Sequence, residues 1–202
     1  MGVTAGVTAG PVRGTHAGPG RVQTLTVLAV TVLLLTGVTW FLTDGFNDGV
    51  TSVTIAGELG VDPPTVGRPP VAFSGLGYDG QPVMLAAYAG KPLWLTFGAS
   101  WCRDCRAEAP DLEATYEQDR SKGLNVLAVF INDPAADISA YAKRAGLSFP
   151  IVADVQSKIA GAYRILGIPT HIFIGADGLI KEVKIGALSK DDMIRAVSAI
   201  VP

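Results

Sequence analysis

The chain has 202 residues, the length of one ordinary domain with a tail. Apolar residues make up 49% and charged residues 17%, which excludes a chain too polar to build a core. The formal net charge of −2 leaves no basic excess of the kind that nucleic-acid binding needs.

Residues 1–21 are rich in Gly, Thr, Ala and Val, carry Pro11 and Pro19, and show no amphipathic period; they read as a disordered cytoplasmic tail. From Val22 to Thr43 no residue is charged. At roughly 1.5 Å per residue, about 20 such residues cross the ~30 Å hydrocarbon layer of a membrane. Residues 22–43 are therefore expected to form a transmembrane anchor, with Trp40 and Phe41 at its far interface. Arg13 and Arg21 precede the run, and Asp44, Asp48, Glu58 and Asp62 follow it. The positive-inside rule then leaves the N-terminus in the cytoplasm and everything beyond the anchor outside. A cleaved signal peptide would be shorter and would end in small residues, whereas this run ends in Thr39-Trp40-Phe41-Leu42-Thr43; Ala56 offers only a poor late site. No cysteine stands directly after the run, so a lipoprotein anchor is excluded. Residues 44–70, with Pro63-Pro64 and Pro69-Pro70, read as a linker, and residues 71–202 as the globular domain.

Within that domain, Val71–Phe73 and Val83–Leu85 flank the turn signal Tyr78-Asp79-Gly80. Pro92–Phe97 reads as a buried strand, Cys102–Lys122 as a helix and Asn125–Ile131 as a second buried strand. A helix over Asp137–Ala145, a strand over Phe149–Val152 and a helix over Ser157–Tyr163 follow. His171–Ile174 and Leu179–Ile185 form a hairpin around Asp177-Gly178, and Ser189 caps a last helix that runs to about Ile200. Alternating strands and helices closed by a hairpin and a helix predict a three-layer α/β domain.

The chain has two cysteines, Cys102 and Cys105. A disulfide between them closes too small a loop to act mainly as a staple, so the pair points to chemistry. It follows the segment Phe97-Gly98-Ala99-Ser100-Trp101 and opens a helix. Free N–H groups and the positive dipole end of a helix start stabilise a thiolate at Cys102, the species that attacks a disulfide. Cys105, one turn on, is placed to resolve the mixed disulfide. Arg103 favours that thiolate and Asp104 opposes it. A structural zinc site needs four ligands, and beyond the cysteines only His16 and His171 are at hand, with His16 on the other side of the expected membrane. No metal and no cofactor are expected.

At Ile168-Pro169-Thr170, opening a strand beyond the cysteines, the sequence resembles the thioredoxin superfamily. Together with Trp101-Cys102-x-x-Cys105, Glu108 and Pro110, the segment resembles its anchored, extracytoplasmic TlpA/ResA/CcmG (DsbE)-like branch, over roughly Val71 to the C-terminus. The resemblance implies a thioredoxin fold, a central mixed sheet flanked by helices, with an extra strand and helix within about Asp133–Leu166 that plain thioredoxin lacks. It implies that Pro169 is cis and faces the cysteines. Ile168 would then present its backbone to a substrate strand, with Trp101 and Thr170 beside it in the substrate-binding region. Trp101 would pack over the cysteines and shape the site.

The resemblance also implies that Glu108, three residues beyond Cys105, exchanges a proton with Cys105; read from its residues alone, it serves equally well as a solvated helix carboxylate. Pro110 is expected to kink its helix. Thr96 stands where cytoplasmic thioredoxin has a buried acid, which removes one general base and turns interest to Glu108. His171 is expected to be a packed or edge histidine.

Three functions compete. The first is a reductant of extracytoplasmic protein disulfides, with apocytochrome c before haem attachment among its substrates, recharged by a membrane dithiol donor. The second is an oxidase that forms disulfides in secreted proteins, the same chemistry run backwards. The third is a metal-binding or copper-delivery module built on Cys102, Cys105 and His171, which a proline facing the cysteines disfavours. A peroxidase would want a threonine three residues before Cys102, where Ala99 stands.

Overall fold

A computed structural model of the chain describes residues 20–44, 53–55 and 63–201. Most of the expected tail, the side chains of Trp40 and Phe41, and much of the expected linker lie outside the described residues. A first unit holds helix α1 (Arg21–Asp44), whose described side chains, 25–39, are all exposed. Among the described residues no helix is long and apolar enough to cross a membrane.

The second unit begins with a small antiparallel sheet of strands β1 (Thr54–Ile55), β2 (Phe73–Leu76) and β3 (Pro82–Met84), in that spatial order. Strand β1 lies inside the stretch expected to be linker. Val53, Thr54 and Ile55 are β-branched and fit the edge of β2, and no local pattern marks so short a strand. The turn between β2 and β3 forms at Tyr78-Asp79-Gly80 as expected. Asp79 Oδ1 accepts the Gln81 N–H at 3.0 Å, and Gly80, at φ 78°, takes the left-handed conformation that a side chain would resist.

The main sheet alternates with helices: β4 (Leu93–Gly98), α2 (Arg103–Asp119), β5 (Asn125–Ile131), α3 (Ala135–Ala145), β6 (Ile151–Asp154), α4 (Lys158–Ala162), β7 (Thr170–Ile174), β8 (Ile180–Ile185) and α5 (Lys190–Ser198). The spatial order is β6-β5-β4-β7-β8, with β4, β5 and β6 parallel and β7 and β8 antiparallel to their neighbours. This is the mixed sheet of the expected thioredoxin-like fold. The segment between β5 and β7 contributes α3, β6 and α4.

All six residues of β4 are buried because both sheet faces are covered, which is why the strand reads as a nearly continuous apolar run. Trp94, Val126, Ala128, Phe130 and Phe173 pack one face against Leu112 of α2, Ile138 and Tyr141 of α3, and Met193 and Val197 of α5. Leu95, Phe97, Leu127, Val129 and Ile172 pack the other against Phe73, Leu85, Ile159 and Tyr163. Several boundaries differ from expectation by a few residues, and two of them have a local cause. The expected strand over Phe149–Val152 begins two residues later, since Pro150 has no N–H for the ladder and contributes only its carbonyl, to Ala128. Helix α2 runs through Pro110 to Asp119 and ends in one tight turn, Arg120–Lys122, closed by Gly123 at φ 100°.

Candidate active site

The register of β4 against β7 assembles the site. Because β7 runs antiparallel, Phe97 at the exit of β4 lies opposite Thr170 at the start of β7, so the Pro169 loop meets the cysteine loop at one end of the sheet. Cys102 takes the N-cap position of α2, and its Sγ accepts the Cys105 N–H at 3.1 Å. The two cysteines form a disulfide with a Cα–Cα distance of 5.3 Å, and both are buried. On reduction, a thiolate at Cys102 keeps an amide donor and the helix dipole, the electrostatics that the sequence pattern calls for.

The loop before Cys102 is tied down from behind. Asp133, buried beyond β5, accepts the Ser100 N–H at 2.5 Å and the Ser100 hydroxyl at 3.0 Å. Asn132, at φ 48°, turns its carbonyl to the Trp101 indole N–H at 3.3 Å. Trp101 itself is 54% exposed. Its ring is held at the surface beside the pair instead of sealing it, so it shapes the rim more than it shields the sulfurs.

The Ile168–Pro169 peptide bond is cis, as the resemblance implies. Ile168 packs on Ala99, Cys102 and Cys105. The Pro169 carbonyl accepts the Gly186 N–H at 2.8 Å, and the buried Thr170 hydroxyl donates to the Gly167 carbonyl at 2.6 Å, so the Thr170 side chain braces the loop. Leu166, 92% exposed, and Ile185, 68% exposed and paired with Thr170, add apolar surface around this loop. Sequence reasoning did not single out either residue.

Behind the disulfide lies a cavity of about 20 Å³, lined among others by Cys105, Glu108, Pro169, Thr96 and Tyr141. Glu108 is 5% exposed, which excludes the solvated-carboxylate reading. Its Oε2 accepts the Leu188 N–H at 3.0 Å, and its Oε1 lies 3.3 Å from His171 Nε2. His171 is fully buried, on the sheet face that carries Trp94 and Phe173 and that α2 and α5 cover. Thr96 sits opposite it in register, with its hydroxyl oxygen 3.1 Å from His171 Nδ1. Burial pushes the Tyr141 hydroxyl above its ordinary range, Arg106 opposes that shift and the Glu108 charge adds to it. Among the described residues no group of three His, Cys, Asp or Glu side chains is placed to hold a metal ion, and His171 turns Nε2 to Glu108.

A redox pair capping a helix, a cis-proline loop packed on it and a mixed sheet behind both define a thiol–disulfide oxidoreductase of thioredoxin-like fold. The sequence matches the AhpC/TSA family over residues 66–183, and the chain belongs to that family. It is 34% identical over 118 residues to the thiol-disulfide oxidoreductase ResA of Geobacillus kaustophilus, an alignment covering 58% of this chain and 68% of that one. Among solved structures, a thiol:disulfide interchange protein of the thioredoxin family from Chlorobium tepidum superposes with a TM-score of 0.62 at 29% identity, covering 71% of this chain and 99% of that one. A secreted disulfide oxidoreductase of Mycobacterium tuberculosis, described as homologous to DsbE of Escherichia coli, gives 0.59 at 25% identity, covering 63% and 95%.

Proposed function

We propose that this enzyme is a membrane-anchored reductant of protein disulfides that works outside the cytoplasm, with apocytochrome c before haem attachment as a substrate and a membrane dithiol as its source of electrons. The observation that carries the reading is the buried Glu108 carboxyl on the same small cavity as Cys105. A dithiol reductant must ionise its second cysteine after the first has attacked. The Cys102 thiolate attacks a substrate disulfide and forms a mixed disulfide, releasing one substrate thiolate. The Cys105 thiol then gives its proton to Glu108, and its sulfur attacks Cys102. The Cys102–Cys105 bond forms and the second substrate sulfur leaves with the electron pair, so the substrate gains two electrons and the enzyme pair loses them. Ile168 and the exposed apolar side chains of Trp101, Leu166 and Ile185 suit an extended, unfolded substrate segment.

The proposed location rests on the charge-free run from Val22 to Thr43, the arginines ahead of it, and the exposed apolar side chains of α1. Labelling Cys102 in reduced intact cells with a membrane-impermeant maleimide tests it: modification before lysis supports it, and modification only after lysis refutes it.

The direction of electron flow is tested by the reduction potential of the Cys102–Cys105 pair in glutathione or dithiothreitol redox buffers. A value near or below about −270 mV is expected. A value near about −120 mV would make the enzyme an oxidase of secreted proteins instead.

A further inference from the structure

His171 lies on the sheet face that α2 and α5 cover, two residues beyond Pro169, with no solvent exposure. An imidazole buried in an apolar layer costs free energy unless its nitrogens find partners. The Trp94 indole nitrogen stands 3.2 Å from His171 Nδ1. An indole N–H can only donate, so Nδ1 accepts and the ring carries its proton on Nε2. Nε2 lies 3.3 Å from Glu108 Oε1, close but short of full hydrogen-bond alignment, and Leu188 N–H grips the other carboxylate oxygen at 3.0 Å. The carboxyl is thus held by the residue just ahead of α5 and faced by the His171 ring on β7. Tyr141 lines the same cavity, and its buried hydroxyl has no hydrogen-bond partner among the described residues. At about 20 Å³ the cavity has room for one water molecule, which needs roughly 10–15 Å³.

We propose that His171 is a positioning residue for the proton-accepting carboxylate: Trp94 fixes its ring with the proton on Nε2, and that N–H holds Glu108 toward the cavity it shares with Cys105. The inference rests on the role of Glu108 given above. In the resolving step the Cys105 proton goes to Glu108, the Cys102–Cys105 bond forms, the bond from Cys102 to the substrate sulfur breaks, and His171 keeps its own proton. A neutral N–H donor steadies the carboxylate without adding a positive charge. Among the described residues, His171 from β7 stands against the Glu108 carboxylate, Tyr141 from α3 and Cys105 from α2 line the cavity with it, and Arg106 of α2 acts on the Tyr141 hydroxyl.

The test uses the reduced full-length chain in detergent, mixed with oxidised glutathione from pH 5 to pH 9 and quenched in acid. Mass spectrometry then follows the glutathione adduct at Cys102 and its conversion to the internal disulfide. His171→Phe is expected to slow that conversion about tenfold at pH 7, part of the ~10²–10⁴ that a general base supplies, and to change its pH profile while leaving adduct formation nearly unchanged. His171→Gln, which restores an N–H near the position of Nε2, is expected to recover most of the rate. In a Glu108→Gln background the His171→Phe effect is expected to vanish. A His171→Phe variant with the wild-type conversion rate and pH profile overturns the inference, and so does an effect that persists in the Glu108→Gln background. Glu108→Gln with wild-type conversion overturns the proton-acceptor reading and the inference together, whereas slow Glu108→Gln with normal His171→Phe overturns the inference alone. Should His171→Phe fail to fold, Trp94→Phe and His171→Gln decide: Trp94→Phe must slow conversion, with His171→Gln faster than it, and a wild-type rate in Trp94→Phe overturns the inference.

Discussion

Asp133 never touches sulfur, yet it sets where the sulfurs sit. Its carboxylate is buried and takes both the N–H and the hydroxyl of Ser100, two residues before Cys102. Replacing it with alanine leaves the Ser100 N–H without its partner in a desolvated place. Asp133→Ala is expected to lower unfolding stability by about 1–3 kcal/mol, read from urea melts at pH 7, and Asp133→Asn, which keeps an acceptor oxygen, to lose less. This grip was not legible in the sequence, because it joins residues 33 apart in the chain and only folding makes them neighbours. Glu108 was legible for the opposite reason: its spacing from Cys105 is local and helical, so its direction follows once the helix is known. His171 was legible only as a packed side chain. Its partners, Trp94, Thr96 and Glu108, come from another strand and a helix, and no spacing rule connects them.

Among the elements, α5 reaches the site through its N-terminal turn. Leu188, just ahead of the cap, supplies the N–H that holds Glu108, and Ser189 caps the helix by accepting the Asp192 N–H at 3.2 Å. Ser189→Ala is expected to cost about 1 kcal/mol of stability in urea melts, the usual worth of an N-cap hydroxyl. The hydrogen bond from the Ser189 hydroxyl, and then Arg195, hold the Asp192 carboxyl below its ordinary value of 3.8. A carboxyl depressed in the folded state adds stability above its unfolded value and loses it as pH falls through the folded one. The stability gap between wild type and Asp192→Asn is therefore expected to be full at neutral pH and to close only below about pH 3.8. The cap was legible at Ser189 because its signal is local, Ser with Asp191 and Asp192 just behind it. Strand β1 was not, since two residues carry no period and gain strand character only by pairing with β2.

For the whole second unit, stability comes from the two apolar layers on either side of the five-stranded sheet, and the disulfide belongs to neither. Cys102 and Cys105 are three residues apart. In the loop-entropy account, a ring that small is worth only about 2 kcal/mol to the folded state. A protein of this size shifts by roughly 2–4 °C per kcal/mol, so the Cys102→Ser/Cys105→Ser variant is expected to melt within about 8 °C of the oxidised wild type. Its far-UV circular dichroism is expected to match the wild type at 25 °C. A variant that is unfolded at that temperature would show the bond to be a structural staple. An enzyme that opens and closes its own disulfide in every cycle must stay folded in both states, so its fold must rest on packing that the bond does not supply. The Cys102 N-cap position, the Asp133 clamp on Ser100 and the Ile168–Pro169 loop each hold the site through groups that survive reduction, which leaves the two sulfurs free to change partners.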